Sequence, residues 1–375
     1  MQFVTSVLFN PLVSAGSGLL VYLTGRRLSF NSTISITLAF IYAFGTMTWV
    51  YAKSFFSDPL ITLWLLLTFF GLLSYRYTRR RAWIWVSGAS LGLAALTKPS
   101  SLVNAPVLTA YLIYIIRTQP KRVFFTRLLD FAIPFAIGVL GMMFYNWWRF
   151  EAPLDTGYRN VAWTFPFLKG LYGMIASPGK GYLLYNPISL GAIVGAFFFW
   201  RRHRPEFWVI TGIIVTSLVF LAKYDHWHGG GCWGPRLLLP ITPFLILPMG
   251  SLLEEIPKKS YLNLLLAILI ALSVIVQILG VSVGYGRFMQ KVYGLSVDQY
   301  YKRITFEIPY SPLIGQWSEM REVFGNLRDP AKRTAIRQIA FENDADMSGG
   351  QAIEMLATNL PDFWFVYLHF VRGGL

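Results

Sequence analysis

Long apolar stretches separated by short polar connections run through the first three quarters of the chain. Ten of them lie near 4–23, 33–51, 59–75, 82–97, 102–116, 128–148, 184–200, 207–222, 237–253 and 261–281. A helix needs roughly 17–25 predominantly apolar residues to cross a bilayer. The pattern therefore predicts an all-α integral membrane protein of about ten transmembrane helices. Several stretches are short for that task, which predicts tilted, re-entrant or half-spanning helices. Residues 1–281 form this polytopic core. Residues 282–375 form a small, more polar C-terminal region, mixed in charge from Glu319 to Glu354, with a candidate helix at Arg328 to Phe341. The aromatic-rich segment 361–371 reads as an interfacial segment or the start of a final span.

Composition agrees with this. Hydrophobic residues make up 55% of the 375 positions and charged residues 14%. The formal charge of +15 raises the question of nucleic acid, but its placement answers otherwise. Basic residues gather in alternate connections: Arg26 and Arg27; Arg76, Arg79, Arg80 and Arg81; Arg117, Lys121, Arg122 and Arg127; Arg201, Arg202 and Arg204; Lys258 and Lys259. That alternation is the positive-inside pattern, with every second loop cytoplasmic. No long basic block or nucleic-acid motif is present. A single cysteine excludes an intrachain disulfide.

The alternation places residue 1 and the C-terminal region on the outer side. The N-terminus lacks the basic flank of a secretory signal and leads straight into a full-length span. An outside start without a signal suggests an earlier helix and outer loop, absent here through truncation or reduction. The expected location is a cell membrane, bacterial or archaeal, with the working side extracytoplasmic.

The outer connections hold the unusual chemistry. They contain AKSFFSDPL (Ala52 to Leu60), GLAALTKPS (Gly92 to Ser100), SPGKGYLLYNP (Ser177 to Pro187) and WHGGGCWGPR (Trp227 to Arg236). Asp58 reads either as a helix cap beside Pro59 or as an acidic group at the membrane surface. Lys98 reads either as a lysine on a helix C-terminal dipole or as a cation for a lipid phosphate. Lys180 is either part of a surface turn or a phosphate ligand on a mobile loop. Asp225, His226, His228 and Cys232 are metal-ligand types without a recognised zinc spacing; a divalent metal stays a candidate, and the sequence identifies no cofactor. The two histidines read equally as interfacial residues beside Trp227. Arg236 enters an apolar run, which is costly unless the guanidinium is paired or used; its fork suits a phosphate. The glycines of the hinge let backbone approach another molecule closely, and Pro235 suits the first turn of a following helix.

At these four motifs the chain resembles the GT-C superfamily of polyprenyl-phosphate-sugar-dependent glycosyltransferases, and within it the protein O-mannosyltransferase and aminoarabinose-transferase-like families. The likeness covers about residues 10–280. It implies transfer of a sugar from a polyprenyl-phosphate carrier to an extracytoplasmic hydroxyl on a lipid, glycan or protein. Carried onto this sequence, it implies Asp58 as the catalytic carboxylate. Lys98, Lys180, Arg236 and His228 become ligands of the donor phosphate, and Asp225, His226, Trp227 and Tyr182 contacts to the substrate. One departure stands out: the first outer loop, with the family's usual acidic motif, is not in the sequence. A truncated or inactive copy, a non-catalytic lipid-carrier binder and a transporter therefore stay open as alternatives. A transporter predicts charged or broken helices at mid-membrane, whereas here the polar residues cluster at span ends.

Overall fold

A computed structural model describes residues 2–158, 162–256, 261–292 and 297–341, together with 356, 359–363 and 365–366. Residues 364 and 367–371 of the expected terminal segment lie outside the described residues. Every regular element among the described residues is helical.

Each of the ten apolar stretches becomes helix, in one piece or several. The first is α1 (Gln2–Arg27). The second breaks into α2 (Ser32–Phe44) and α3 (Thr48–Ala52). The break is chemically specified. Gly45 caps α2 with its N–H on Ile41 O, Thr46 Oγ1 bonds back to Tyr42 O, and the Met47 N–H is received by Asn186 Oδ1 at 2.9 Å. Non-helical backbone at membrane depth is tolerated only where protein satisfies it in this way.

Next come α4 (Asp58–Thr78) and α5 (Ala82–Thr97), then a 3-10 turn over Pro99–Asn104 that leads into α6 (Ala105–Ile116). The 30-residue α7 (Lys121–Phe150) follows. α4 is the hub: its apolar window is 78% buried, against 17% for α7. α7 turns Phe125, Leu129, Ile133, Ile137, Leu140 and Phe144 outward, as lipid requires. It docks on α5 through glycines. A Cβ built on Gly138 would lie 2.4 Å from Gly92 Cα, and one on Gly88 2.2 Å from Phe131 O. Small residues at such crossings let helix backbones touch.

The second half holds α8 (Phe167–Ala176), α9 (Tyr182–Tyr185), α10 (Ser189–Arg202) and α11 (Arg204–Ala222). A 3-10 turn at Arg236–Ile241 runs into α12 (Thr242–Ile246) and α13 (Met249–Glu255), and α14 (Tyr261–Ser282) completes the core. Among the described residues seven helical stretches are long and apolar enough to cross a membrane. The other three expected spans are α2, α5 and α10, of 13, 16 and 14 residues. At about 1.5 Å per residue they fall short of a hydrocarbon layer of about 30 Å.

The C-terminal region adds α15 (Tyr285–Val292), α16 (Val297–Phe306), α17 (Pro312–Arg328) and α18 (Pro330–Phe341). The helix expected over Arg328 to Phe341 is α18. The region is tied to the core in three places. Lys53 pairs with Asp362, while within the region Arg287 of α15 pairs with Glu319 and Glu322 of α17. Gly179 N donates to Thr305 O at 3.1 Å, and Ser311 Oγ donates to Pro178 O at 2.7 Å.

Candidate active site

α4 begins at Asp58 and ends beyond Arg76; α5 begins after Arg81 and ends at Lys98. Two antiparallel helices thus bring Asp58 and Lys98 to one end of the bundle and the arginines to the other. At the arginine end, Arg76 pairs with the buried Glu206, and Arg81 and Arg127 pair with Asp130. The opposite end holds the segments with the unusual chemistry.

Asp58 is 2% exposed. Pro59 fixes the start of α4, and among the described residues no backbone N–H is given to the Asp58 carboxylate, so its side chain does not act as a cap there. It faces two cations instead. Lys98 Nζ donates to Oδ1 at 3.1 Å, and Arg236 Nε stands 3.5 Å from Oδ2. Lys98 leaves α5 with extended backbone as Pro99 ends the helix. Arg236 enters at the 3-10 turn that follows the glycine hinge. The sequence suggested an α-helix there; the residue before Arg236 is Pro235 and Pro240 lies four residues on, and the short 3-10 geometry accommodates both. The guanidinium carbon of Arg236 sits 3.9 Å from the ring centroid of Phe56.

Two cavities meet at this cluster. One, of about 540 Å³, is walled by Phe9, Phe55, Phe56, Ser57, Leu60 and Tyr158. The other, of about 550 Å³, runs along the turn after Lys98 and the face of α11, past Ser101, Asn104, Ser217 and Leu221. Asp58, Lys98, Tyr158 and Arg236 line both. Among the described residues Asp58 is the single carboxylate lining either one. His226 lines the larger cavity.

The remaining candidates sit elsewhere. Lys180, expected on the phosphate, is 1% exposed and lines neither cavity. Its ammonium donates to three carbonyls of the glycine hinge: Gly230 at 3.1 Å, Cys232 at 2.5 Å and Gly234 at 3.2 Å. The hinge curls around this lysine. Gly229, Gly230 and Gly234 take φ of 75°, 82° and 60°, which L side chains rarely adopt. Burial pulls the Lys180 ammonium below its ordinary pKa. His228 is also buried, its Nδ1 accepting from Gly230 N at 3.1 Å. Burial, with the nearby Lys180 charge, lowers its pKa to about 3. Trp227 packs against Phe165 and Phe306. Tyr182 is buried and donates to Thr242 Oγ1 at 3.0 Å. Asp225 accepts from Thr164 N and Oγ1. These residues build the hinge and its support. Among the described residues no group of three His, Cys, Asp or Glu is placed to hold a metal.

Residues 1–151 match the family model for dolichyl-phosphate-mannose-protein mannosyltransferases. That segment contains Asp58 and Lys98; Lys180, the glycine hinge and Arg236 lie beyond it. No curated protein matches the sequence. Among solved structures, ArnT from Cupriavidus metallidurans bound to undecaprenyl phosphate is similar, at 15% identity and a TM-score of 0.48, over 94% of this chain and 71% of that one.

Four lining residues escaped the sequence reading. Phe56, inside the AKSFFSDPL segment, lies with its ring against the Arg236 guanidinium carbon. Asn104 and Ser217 lie within apolar stretches, where a lone polar residue is the signal, and Tyr158 sits in a long loop without a local pattern.

Proposed function

We propose that the chain is a membrane glycosyltransferase that moves a sugar from a polyprenyl-phosphate carrier to an acceptor hydroxyl. The observation that carries this reading is the convergence of Asp58, Lys98 and Arg236. They come from three distant segments and meet where two cavities join. The family match over residues 1–151 supports the same class of reaction.

In this reading the donor phosphate lies against Lys98 and Arg236. A hydroxyl attacks the anomeric carbon, the bond from that carbon to the phosphate oxygen breaks, and the phosphate leaves carrying the charge. Fixed cations stabilise that charge as it develops. The hydroxyl proton passes to Asp58, the one carboxylate lining the cavities. Asp58 exchanges its two cations for this role as the phosphate draws them away. Lys180 and His228 shape the hinge that delivers Arg236, and His226 reaches the larger cavity. The site faces the extracytoplasmic side of the cell membrane, because the arginine-rich connections lie at the opposite end of the bundle.

A lipid-carrier binder without catalysis has one observation in its favour: among the described residues no second carboxylate lines either cavity. The test is reconstitution with a labelled polyprenyl-phosphate sugar. Transfer that depends on Asp58, with donor binding that depends on Arg236, supports the enzyme. Donor binding without transfer supports the binder. Binding and transfer both untouched by Arg236→Ala refute the phosphate assignment.

A further inference from the structure

Arginine and carboxylate side chains in contact ordinarily close into a two-pronged pair, because the guanidinium fork matches the carboxylate. Arg236 and Asp58 do not. Their nearest approach is from Nε at 3.5 Å, Nε has no hydrogen-bond partner, and among the described residues the guanidinium makes no hydrogen bond at all. Yet the residue is largely buried, with a side chain 19% exposed. The ring of Phe56 lies against the guanidinium carbon at 3.9 Å. That contact seats the guanidinium carbon over the face of the ring.

Phe56 is itself held. Asn10, on α1, is fully buried. Its Nδ2 donates to Phe56 O at 2.9 Å and also to Ser54 O. Tyr51 meets the Phe56 ring edge-on, with centroids 5.9 Å apart. A brace therefore runs from α1 through the 54–56 loop and the ring to the guanidinium.

We propose that Phe56 is a positioning residue: its ring holds Arg236 off a closed pair with Asp58, so that the guanidinium donors stay open to an anionic phosphate. This rests on the phosphate reading given above. It assigns the second phenylalanine of FFSDPL a task separate from filling space. Leucine at this position fills a similar place but has no π face, so the fork is free to swing onto Asp58. Tryptophan keeps the face.

The experiment measures binding of undecaprenyl phosphate to the purified full chain in nanodiscs, for wild type, Phe56→Leu, Phe56→Trp, Arg236→Ala and the Phe56→Leu/Arg236→Ala double variant. Phe56→Leu should weaken binding by about two- to thirtyfold, the range of a partly desolvated cation–π contact. Phe56→Trp should bind as wild type does or more tightly. In the Arg236→Ala background, Phe56→Leu should make no further difference. Equal losses from Phe56→Leu in both backgrounds, or no loss in either, overturn the proposal. If Phe56→Leu does not fold, Phe56→Trp decides: wild-type binding supports the brace, and a tenfold loss in a folded protein refutes it. Arg236→Ala with wild-type binding would instead refute the phosphate reading itself, so the two failures are distinguishable.

Discussion

Lys98 donates to Asp58 Oδ1 at 3.1 Å across forty residues of sequence. The contact exists because α4 and α5 are antiparallel and of unequal length. The longer helix starts where the shorter one stops. Arg236 Nε stands 3.5 Å from the other carboxylate oxygen without a hydrogen bond to it, so the carboxylate is bonded to one cation and faces a second.

Asp58→Asn should preserve the fold, because asparagine is nearly the same size and can still accept from Lys98. Transfer should fall by about a hundred- to ten-thousandfold, the usual worth of a positioned proton acceptor. Binding of undecaprenyl phosphate should hold or strengthen, since the variant competes less for the cations. Single-turnover transfer and lipid binding on the same preparation check both halves; a loss of binding as deep as the loss of transfer would count against Asp58 as the base.

Lys180→Met should damage the hinge more than the site. It leaves the carbonyls of Gly230, Cys232 and Gly234 without their shared donor. Gly230 O and Gly234 O keep the backbone N–H groups of Cys232 and Arg236, but Cys232 O loses the only donor it has among the described residues; a buried acceptor left unpaired costs about 1–3 kcal/mol, so a drop in thermal stability is expected. Phosphate-lipid affinity, measured below the new unfolding temperature, should change far less than in Arg236→Ala.

Acid should loosen the hinge through His228. Its pKa is about 3 in the folded protein and near 6.5 when unfolded. The unfolded chain therefore binds the extra proton between those values, and stability falls as pH drops from 6.5 towards 3. The slope approaches about 1.4 kcal/mol per pH unit within that window. Unfolding temperatures across the window should fall more gently in His228→Gln than in wild type; identical slopes would remove His228 from the account.

Gly138→Ala should separate α7 from α5. The added methyl would sit 2.4 Å from the Gly92 backbone, where nothing flexible can yield. A loss of about 1–3 kcal/mol is expected for overpacking of this kind. Thermal unfolding in detergent, with Gly141→Ala as the control at an open position, reads it directly.

The ten apolar stretches were legible in the sequence because lipid leaves hydropathy few alternatives. The gathering of Asp58 and Lys98 at one end was legible too, since alternating charge orders the loops. The break after Phe44 was harder to read. Its cause is Asn186, which receives the Met47 N–H from 139 residues away. Lys180 shows the same limit from the other side. A lysine in a glycine turn has the same local pattern whether it meets a phosphate or three carbonyls of its own chain. Phe56 was hidden among 30 phenylalanines, and only the position of Arg236 distinguishes it.

The three undersized helices present apolar side chains outward: Ile36, Phe40 and Phe44 on α2; Trp85, Leu93 and Leu96 on α5; and Ile193, Val194 and Phe197 on α10. A bilayer that meets a short apolar wall thins to match it. Where the bilayer thins in this way the headgroups are drawn inward, and α5 ends at Lys98, beside the charged cluster. Hydrophobic mismatch then becomes a determinant of how deep a lipid headgroup sits when it arrives, and the length of the surrounding acyl chains sets its level relative to the two cations.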